Sequence, residues 1–183
     1  ENKDEIIING KGLNSLKKPK KDIYLGNSGT SARLLVGLLS AQKFNSKIIG
    51  DSSLSKRPMK RITDPLTKMN AIIKTFNGSL PIEIQGRHLA SAEIDITIPS
   101  AQIKSGLLLA CINTEGISNI TENNVTRDHT EIMLESFGAK IEISKKDNKK
   151  YIKIEGKNEL KSKNINVPSD LSSSAFFIIA TLI

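Results

Sequence analysis

One phrase, Ile-x-Ile-x-Gly followed by a basic residue, occurs three times in this chain. It reads Ile6-Ile7-Ile8-Asn9-Gly10-Lys11, then Ile82-Glu83-Ile84-Gln85-Gly86-Arg87, then Ile152-Lys153-Ile154-Glu155-Gly156-Lys157. The glycines lie 76 and then 70 residues apart. Alternating isoleucines predict a strand with one buried face, and the glycine predicts a turn or bulge at its end. A single such phrase means an edge strand. Three at a nearly constant period mean a repeated structural unit.

The stretch between the first two glycines predicts the unit in full. Strand 22–25 leads through Gly26-Asn27-Ser28-Gly29-Thr30 into a helix over 28–41, whose Leu34, Leu35, Leu38 and Leu39 recur at helical spacing. Strand 46–50 follows, then a loop to Arg57. Pro58 suits the first turn of a second helix, with Ile62, Leu66 and Met69 on one face. Strand 71–75, a turn over 76–80 and strand 81–85 complete a βαβαββ order. The next stretch repeats it: strand 93–98, the junction Pro99-Ser100-Ala101-Gln102-Ile103-Lys104-Ser105, a helix to Ile112, strand 117–121, a helix opened by Arg127-Asp128-His129-Thr130-Glu131, and a hairpin turning at Asp147-Asn148. Ile165-Asn166-Val167 and Pro168-Ser169-Asp170 begin a third copy. The expected division is 1–13, the closing strand of a preceding unit; 14–90 and 91–160, two complete units; and 161–183, a crossover and the head of another. The fold class is α/β (α+β), with helices layered on sheets. Glu1 and Ile183 both look like cut ends, so the chain is read as a fragment of a larger protein.

Composition narrows the function. Lys plus Arg exceed Asp plus Glu by 27 to 19, a net charge of +8, which favours anionic partners. Aromatic residues are 4% and tryptophan is absent, so stacking surfaces for a nucleic acid are scarce. The basic runs Lys17–Lys21 and Lys145–Lys150 read as solvated turns. Cys111 is the one cysteine; its apolar neighbours predict a buried structural thiol in a reducing compartment. No apolar run approaches membrane-spanning length. His88 and His129 lack partners at metal-ligand spacing, and no Walker or dinucleotide fingerprint is present.

The strand-to-helix junctions carry the chemistry. A helix start exposes free N–H groups at the positive end of its dipole, where an anion is stabilised. Arginine adds bidentate recognition of phosphate or carboxylate. Arg33, Arg57, Lys104 and Arg127 all stand near these junctions, and the reading is a site for one or two small polyanions.

The motifs Leu25-Gly26-Asn27-Ser28-Gly29-Thr30 with Arg33, Gly50-Asp51-Ser52-Ser53-Leu54 with Arg57-Pro58-Met59, Ser100-Ala101-Gln102-Ile103-Lys104-Ser105, Arg127-Asp128-His129-Thr130-Glu131, and Asp170 with Ser172-Ser173 resemble, in order and spacing, the 5-enolpyruvylshikimate-3-phosphate synthase (3-phosphoshikimate 1-carboxyvinyltransferase) family. The resemblance covers essentially the whole chain. It implies two domains, each of three βαβαββ units, closing on substrates between them. It also implies transfer of the enolpyruvyl group of phosphoenolpyruvate to the 5-hydroxyl of shikimate 3-phosphate, in the shikimate route to chorismate and the aromatic amino acids. No metal and no cofactor is implied, the place is the cytoplasm, and the intact enzyme is a monomer without nucleic-acid or membrane partners. By motif matching, Gly29 and Arg57 face phosphoenolpyruvate, Gln102 lies between the substrates, and Ser100, Ala101 and Arg127 contact shikimate 3-phosphate. Asn27, Thr30 and Lys104 stand in second rank.

This sequence departs from the family in lacking an N-terminal Gly-Ser-Lys-Ser motif and the half carrying the acid–base residues, so no catalytic residue is assigned and the fragment is expected not to turn over alone. Ser169 replaces a glycine common before Asp170. Arg33 and Asp170, at corresponding places in different units, are expected to pair. Two other readings are UDP-N-acetylglucosamine 1-carboxyvinyltransferase, against which the Asn27–Thr30 and Ser100–Gln102 motifs argue, and a basic nucleic-acid-binding repeat domain.

Overall fold

In the computed structural model, which describes residues 5–12, 14–167 and 179–180, the second and third isoleucine phrases close interior strands of two separate sheets. The first unit runs β1 (Ile23–Tyr24), α1 (Gly29–Ser40), β2 (Ser46–Ile49), α2 (Lys60–Thr67), β3 (Ile72–Phe76) and β4 (Ser79–Gln85), with a 3-10 turn at Leu54–Lys56. The second runs β5 (Glu93–Ile96), α3 (Ala101–Ile112), β6 (Ile117–Glu122), α4 (His129–Ser136), β7 (Lys140–Lys146) and β8 (Lys149–Glu155). The sheet orders, β1-β2-β4-β3 and β5-β6-β8-β7, are the same. In each, the first two strands are parallel across a helical crossover and the rest antiparallel. The α/β class and the βαβαββ repeat are thus both present.

Alternation decides which face of each sheet is buried. Leu80, Ile82 and Ile84 on β4, and Ile152 and Ile154 on β8, point inward against helices, while the residues between them face out. The hairpin turns close on two residues with left-handed φ, Asn77-Gly78 (φ 50° and 78°) and Asp147-Asn148 (φ 50° and 61°), the backbone that matches strand twist. The first of these is tighter than the turn expected over 76–80. It also explains why Pro58 lies outside the first turn of α2. The Met59 N–H donates to the Gly78 carbonyl at 2.8 Å, which anchors Met59 on the hairpin and delays the helix to Lys60.

The closing glycines serve a purpose other than a turn. A Cβ on Gly86 would lie 2.1 Å from Phe44 O, and one on Gly156 would lie 1.7 Å from Thr114 O. In both units the loop leaving the first helix runs against the end of the closing strand, so only a residue without a side chain fits. The first isoleucine phrase differs. Residues 5–12 form no strand, and Ile6, Ile7 and Ile8 are exposed. Ile165-Asn166-Val167 likewise forms no strand. A strand needs a paired neighbour, and among the described residues neither segment pairs with a strand of either sheet. The remainder of the third copy, 168–178 with Asp170, lies outside the described residues, and so does the expected Arg33–Asp170 pair.

The two units meet through α1 and α3, whose backbones touch at a glycine pair. A Cβ on Gly37 would fall 1.8 Å from Gly106 O, and one on Gly106 would fall 2.6 Å from Arg33 O. Around this crossing pack Ala32, Val36, Ile62, Leu66, Leu107 and Leu108, all fully buried. Cys111 is buried too, and burial pushes its thiol up to about 11.

Two measurements check this packing. Gly37→Ala is expected to destabilise the chain by about 1–3 kcal/mol, the usual cost of overpacking, read as a lower urea midpoint; an unchanged midpoint would refute the close crossing. At pH 8 a thiol at about 11 is roughly one part in a thousand ionised. Cys111 is therefore expected to resist iodoacetamide until the chain unfolds, and rapid native-state alkylation would contradict its burial.

Candidate functional site

Both crossover helices begin with a capping serine. The Ser28 Oγ accepts from the Ser31 N–H at 3.2 Å, and the Ser100 Oγ from the Ile103 N–H at 3.4 Å. Each hydroxyl answers one of the free donors of its helix start and keeps its own proton to donate; that of Ser28 goes to Ser31 Oγ at 2.8 Å. The glycine crossing sets the two starts side by side. Arg33 stands one turn before Gly37 and Gln102 one turn before Gly106, and Arg33 donates to Gln102 Oε1 at 2.6 Å. Gln102 Nε2 donates to Thr30 Oγ1 at 2.8 Å. Helix dipoles of like sense lie together here, so positive potential accumulates at one end of the pair.

A cavity of about 410 Å³ opens at that end, lined by Arg33, Arg61, Ser100, Ala101, Gln102 and Arg127, with Pro99, Ile103 and Thr126 completing its wall. Beside it, Gly29 carries two guanidinium groups against its Cα. A Cβ there would meet Arg57 Nη1 at 2.9 Å and Arg33 Nη1 at 3.0 Å. Asn27 Oδ1 accepts from Arg57 at 2.6 Å, and Pro58 O and Gly29 O accept from Arg33 at 3.4 Å each. Among the described residues none of these arginines is in an ion pair. Burial, and then the charges of Arg57 and Arg61, pull the Arg33 guanidinium below its ordinary value. An anion in the cavity would relieve both effects.

The structure therefore gathers Ser100, Ala101, Gln102 and Arg127 around one cavity and places Gly29 and Arg57 against Arg33 at its side. Asn27 and Thr30 face those residues as acceptors, for Arg57 and for Gln102. Lys104 requires a correction. Its side chain is wholly buried, its Nζ lying 2.8 Å from Glu131 Oε1 and 3.0 Å from Glu122 Oε2, so it presents no charge to the cavity. Burial works against its charge, but the hydrogen bonds and charges of Glu131 and Glu122 together outweigh it, and its pKa lies above the ordinary value. Lys150 is corrected likewise. It ends the basic run read as solvated, yet it is buried and sits 3.2 Å from Glu131 Oε1. Arg61 went unread. Its signal was its place in the first turn of α2, close after Arg57 in the chain.

The family model for EPSP synthase (3-phosphoshikimate 1-carboxyvinyltransferase) matches residues 1–183. A 3-phosphoshikimate 1-carboxyvinyltransferase of Ruthia magnifica subsp. Calyptogena magnifica is 50% identical over 183 residues, all of this chain and 41% of that protein. One from Bacillus licheniformis is 42% identical over 182 residues, 98% of this chain and 42% of that protein. The solved EPSP synthase from Acinetobacter baumannii superposes with a TM-score of 0.81 at 49% identity, covering 91% of this chain and 37% of that one. The chain thus spans about two-fifths of the length of these relatives, and over that span it belongs to the EPSP synthase family.

Proposed function

We propose that this chain supplies the anion-binding half of a site that transfers the enolpyruvyl group of phosphoenolpyruvate to the 5-hydroxyl of shikimate 3-phosphate. The observation that carries the reading is the cavity at the paired starts of α1 and α3, walled by Arg33, Arg61 and Arg127 and, among the described residues, free of carboxylate lining. Both substrates bear phosphate and carboxylate, the groups that a guanidinium fork binds in bidentate fashion. In this reading shikimate 3-phosphate takes the Ser100–Ala101–Arg127 side, with its phosphate at the Ser100 hydroxyl. Phosphoenolpyruvate takes the Gly29–Arg57 side. Gln102, already bonded to Arg33 and Thr30, stands between the two.

The reaction adds the 5-hydroxyl oxygen to C2 of phosphoenolpyruvate and a proton to its C3, and then expels phosphate from C2 as a proton leaves C3. This calls for general acid–base groups within hydrogen-bond reach of the reacting atoms. Among the described residues, the cavity lining holds no histidine, lysine or carboxylate side chain. We assign this chain the work of binding and orienting, and we place the proton-transfer groups in the part of the relatives' length that it does not span. No metal or organic cofactor enters this reading. A reducing, cytoplasmic setting fits the solitary buried thiol of Cys111, and a monomer fits the family resemblance.

Titration of the purified chain with shikimate 3-phosphate, followed by NMR or calorimetry, tests the reading. Saturable binding is expected, with no turnover when phosphoenolpyruvate is added. Arg127→Ala is expected to weaken shikimate 3-phosphate by about 10- to 100-fold, the loss of a charge-assisted hydrogen bond, and Arg57→Ala to weaken phosphoenolpyruvate similarly. Absence of binding in the unaltered chain would overturn the substrate assignment, and turnover would overturn the division of labour. Gly29→Ala drives a methyl into both guanidinium groups and is expected to weaken phosphoenolpyruvate about tenfold while leaving the unfolding midpoint close to its original value. Equal loss for both substrates would count against separate sides.

A further inference from the structure

We propose that the buried tetrad Lys104, Glu122, Glu131 and Lys150 is a positioning device that holds the loop of residues 123–128 so that Arg127 faces the cavity. The proposal rests on the substrate reading above only for the identity of the anion.

The tetrad grips the loop on both sides of Arg127. Glu122 Oε1 accepts from the Thr126 N–H at 3.1 Å and also from its hydroxyl, while Lys104 Nζ donates to the Thr126 carbonyl at 3.5 Å. Both backbone groups of Thr126 are therefore held by the tetrad. On the other side, Lys150 Nζ lies 3.8 Å from Asp128 Oδ2. Glu131 Oε1 joins the two halves, receiving Lys104 at 2.8 Å and Lys150 at 3.2 Å. All four side chains are 0–1% exposed, and Thr126 and Arg127, the gripped residues, both line the cavity.

The first unit shows that the fold does not need these charges. Lys104 is four residues past its capping serine, where the first unit has Ala32 four past Ser28. Glu122 is two past Ile120, the partner of Ile152; the corresponding place, two past Ile48, the partner of Ile82, is Gly50. Glu131 is three before Leu134, whose carbonyl accepts from Ala139; Thr63 is three before Leu66, whose carbonyl accepts from Ala71. Lys150 is six before Gly156, as Leu80 is six before Gly86. One topology is thus built once around Ala, Gly, Thr and Leu and once around two lysines and two glutamates. Buried ion pairs offer no general stability advantage over apolar filling. What the charged version adds is a set of fixed donors and acceptors, and these are spent on the loop that carries Arg127.

The test pairs Lys104→Met with Glu122→Met, which keeps the charge balance and leaves Lys150–Glu131 intact. Amide hydrogen exchange over 123–128 is expected to quicken at least about tenfold while α1 and β4 keep their protection; unchanged exchange in the loop overturns the proposal. In shikimate 3-phosphate titrations, Arg127→Ala is expected to cost about 10- to 100-fold in the parent chain and almost nothing in the paired background, because the two changes act on one contact. Equal cost in both backgrounds overturns it, since a purely structural network would leave the Arg127 contribution untouched. Thr126→Val removes the hydroxyl bond to Glu122 without stranding a buried charge, and it serves if the paired variant does not fold. Its effect on affinity is expected to merge with that of Arg127→Ala, and strict additivity again overturns the proposal. A parent chain that binds no shikimate 3-phosphate defeats the substrate reading alone, and the exchange measurement then decides the proposal.

Discussion

The contact between Gly37 and Gly106 is the constraint on which the rest depends. Helices separated by ordinary side chains keep their axes 8–10 Å apart. Here the crossing has room for no Cβ on either side, and the two backbones set the distance directly. This closeness puts Arg33 within 2.6 Å of Gln102 and brings two helix starts to one cavity. Each unit folds on its own pattern of alternating isoleucines, but the site belongs to neither. It exists because two small residues allow two units to touch.

That arrangement concentrates positive charge, and the structure accommodates it by placing neutral acceptors next to cations. Arg57 is held by Asn27, and Arg33 by Gln102, Gly29 O and Pro58 O. A carboxylate at any of these places would neutralise the arginine and compete with an incoming anion. Amide and carbonyl oxygens orient the guanidinium and leave its charge uncancelled, so most of the interaction energy is kept for the ligand. The electrostatics are therefore opposite in the two layers. The cavity wall is cationic with neutral supports, whereas the layer beneath it is balanced, with Lys104 and Lys150 against Glu122 and Glu131.

Much of this was legible in the sequence, for identifiable reasons. The period between isoleucine phrases gave the unit, alternation gave the buried faces, and Asp147-Asn148 gave its hairpin turn. The serine junctions gave the helix starts, and the motifs held Ser100, Ala101, Gln102 and Arg127, which line the cavity together with the unread Arg61. What was not legible depends on contacts between segments distant in the chain. Gly86 and Gly156 looked like turn residues, because nothing local says that a loop some 40 residues earlier lies against them. Lys104 sat at a helix start among arginines, and its spacing resembled theirs; only the side of α3 on which it falls, toward Glu122 and Glu131, separates it from them. Ile6–Ile8 matched the strand pattern, but a pattern that pairs with no neighbouring strand does not make one.

The repeat also shows one geometry filled in two ways. In a single unit, placing a lysine at the position of Ala32 or Leu80 would strand a charge in the core, and no single substitution introduces its partners at the same time. The first unit keeps Ala32 and Leu80 buried at these places, and α1 and α3 still cross at Gly37 and Gly106. Packing between α1 and α3 is common to both units, so the interior of the second can take on polar work without giving up the crossing. The comparison of Ala32 with Lys104 and of Leu80 with Lys150 is thus a comparison of two solutions to one geometry. The first fills space, and the second fills the same space while fixing the backbone of a loop. The loop fixed in this way is the one that borders the cavity.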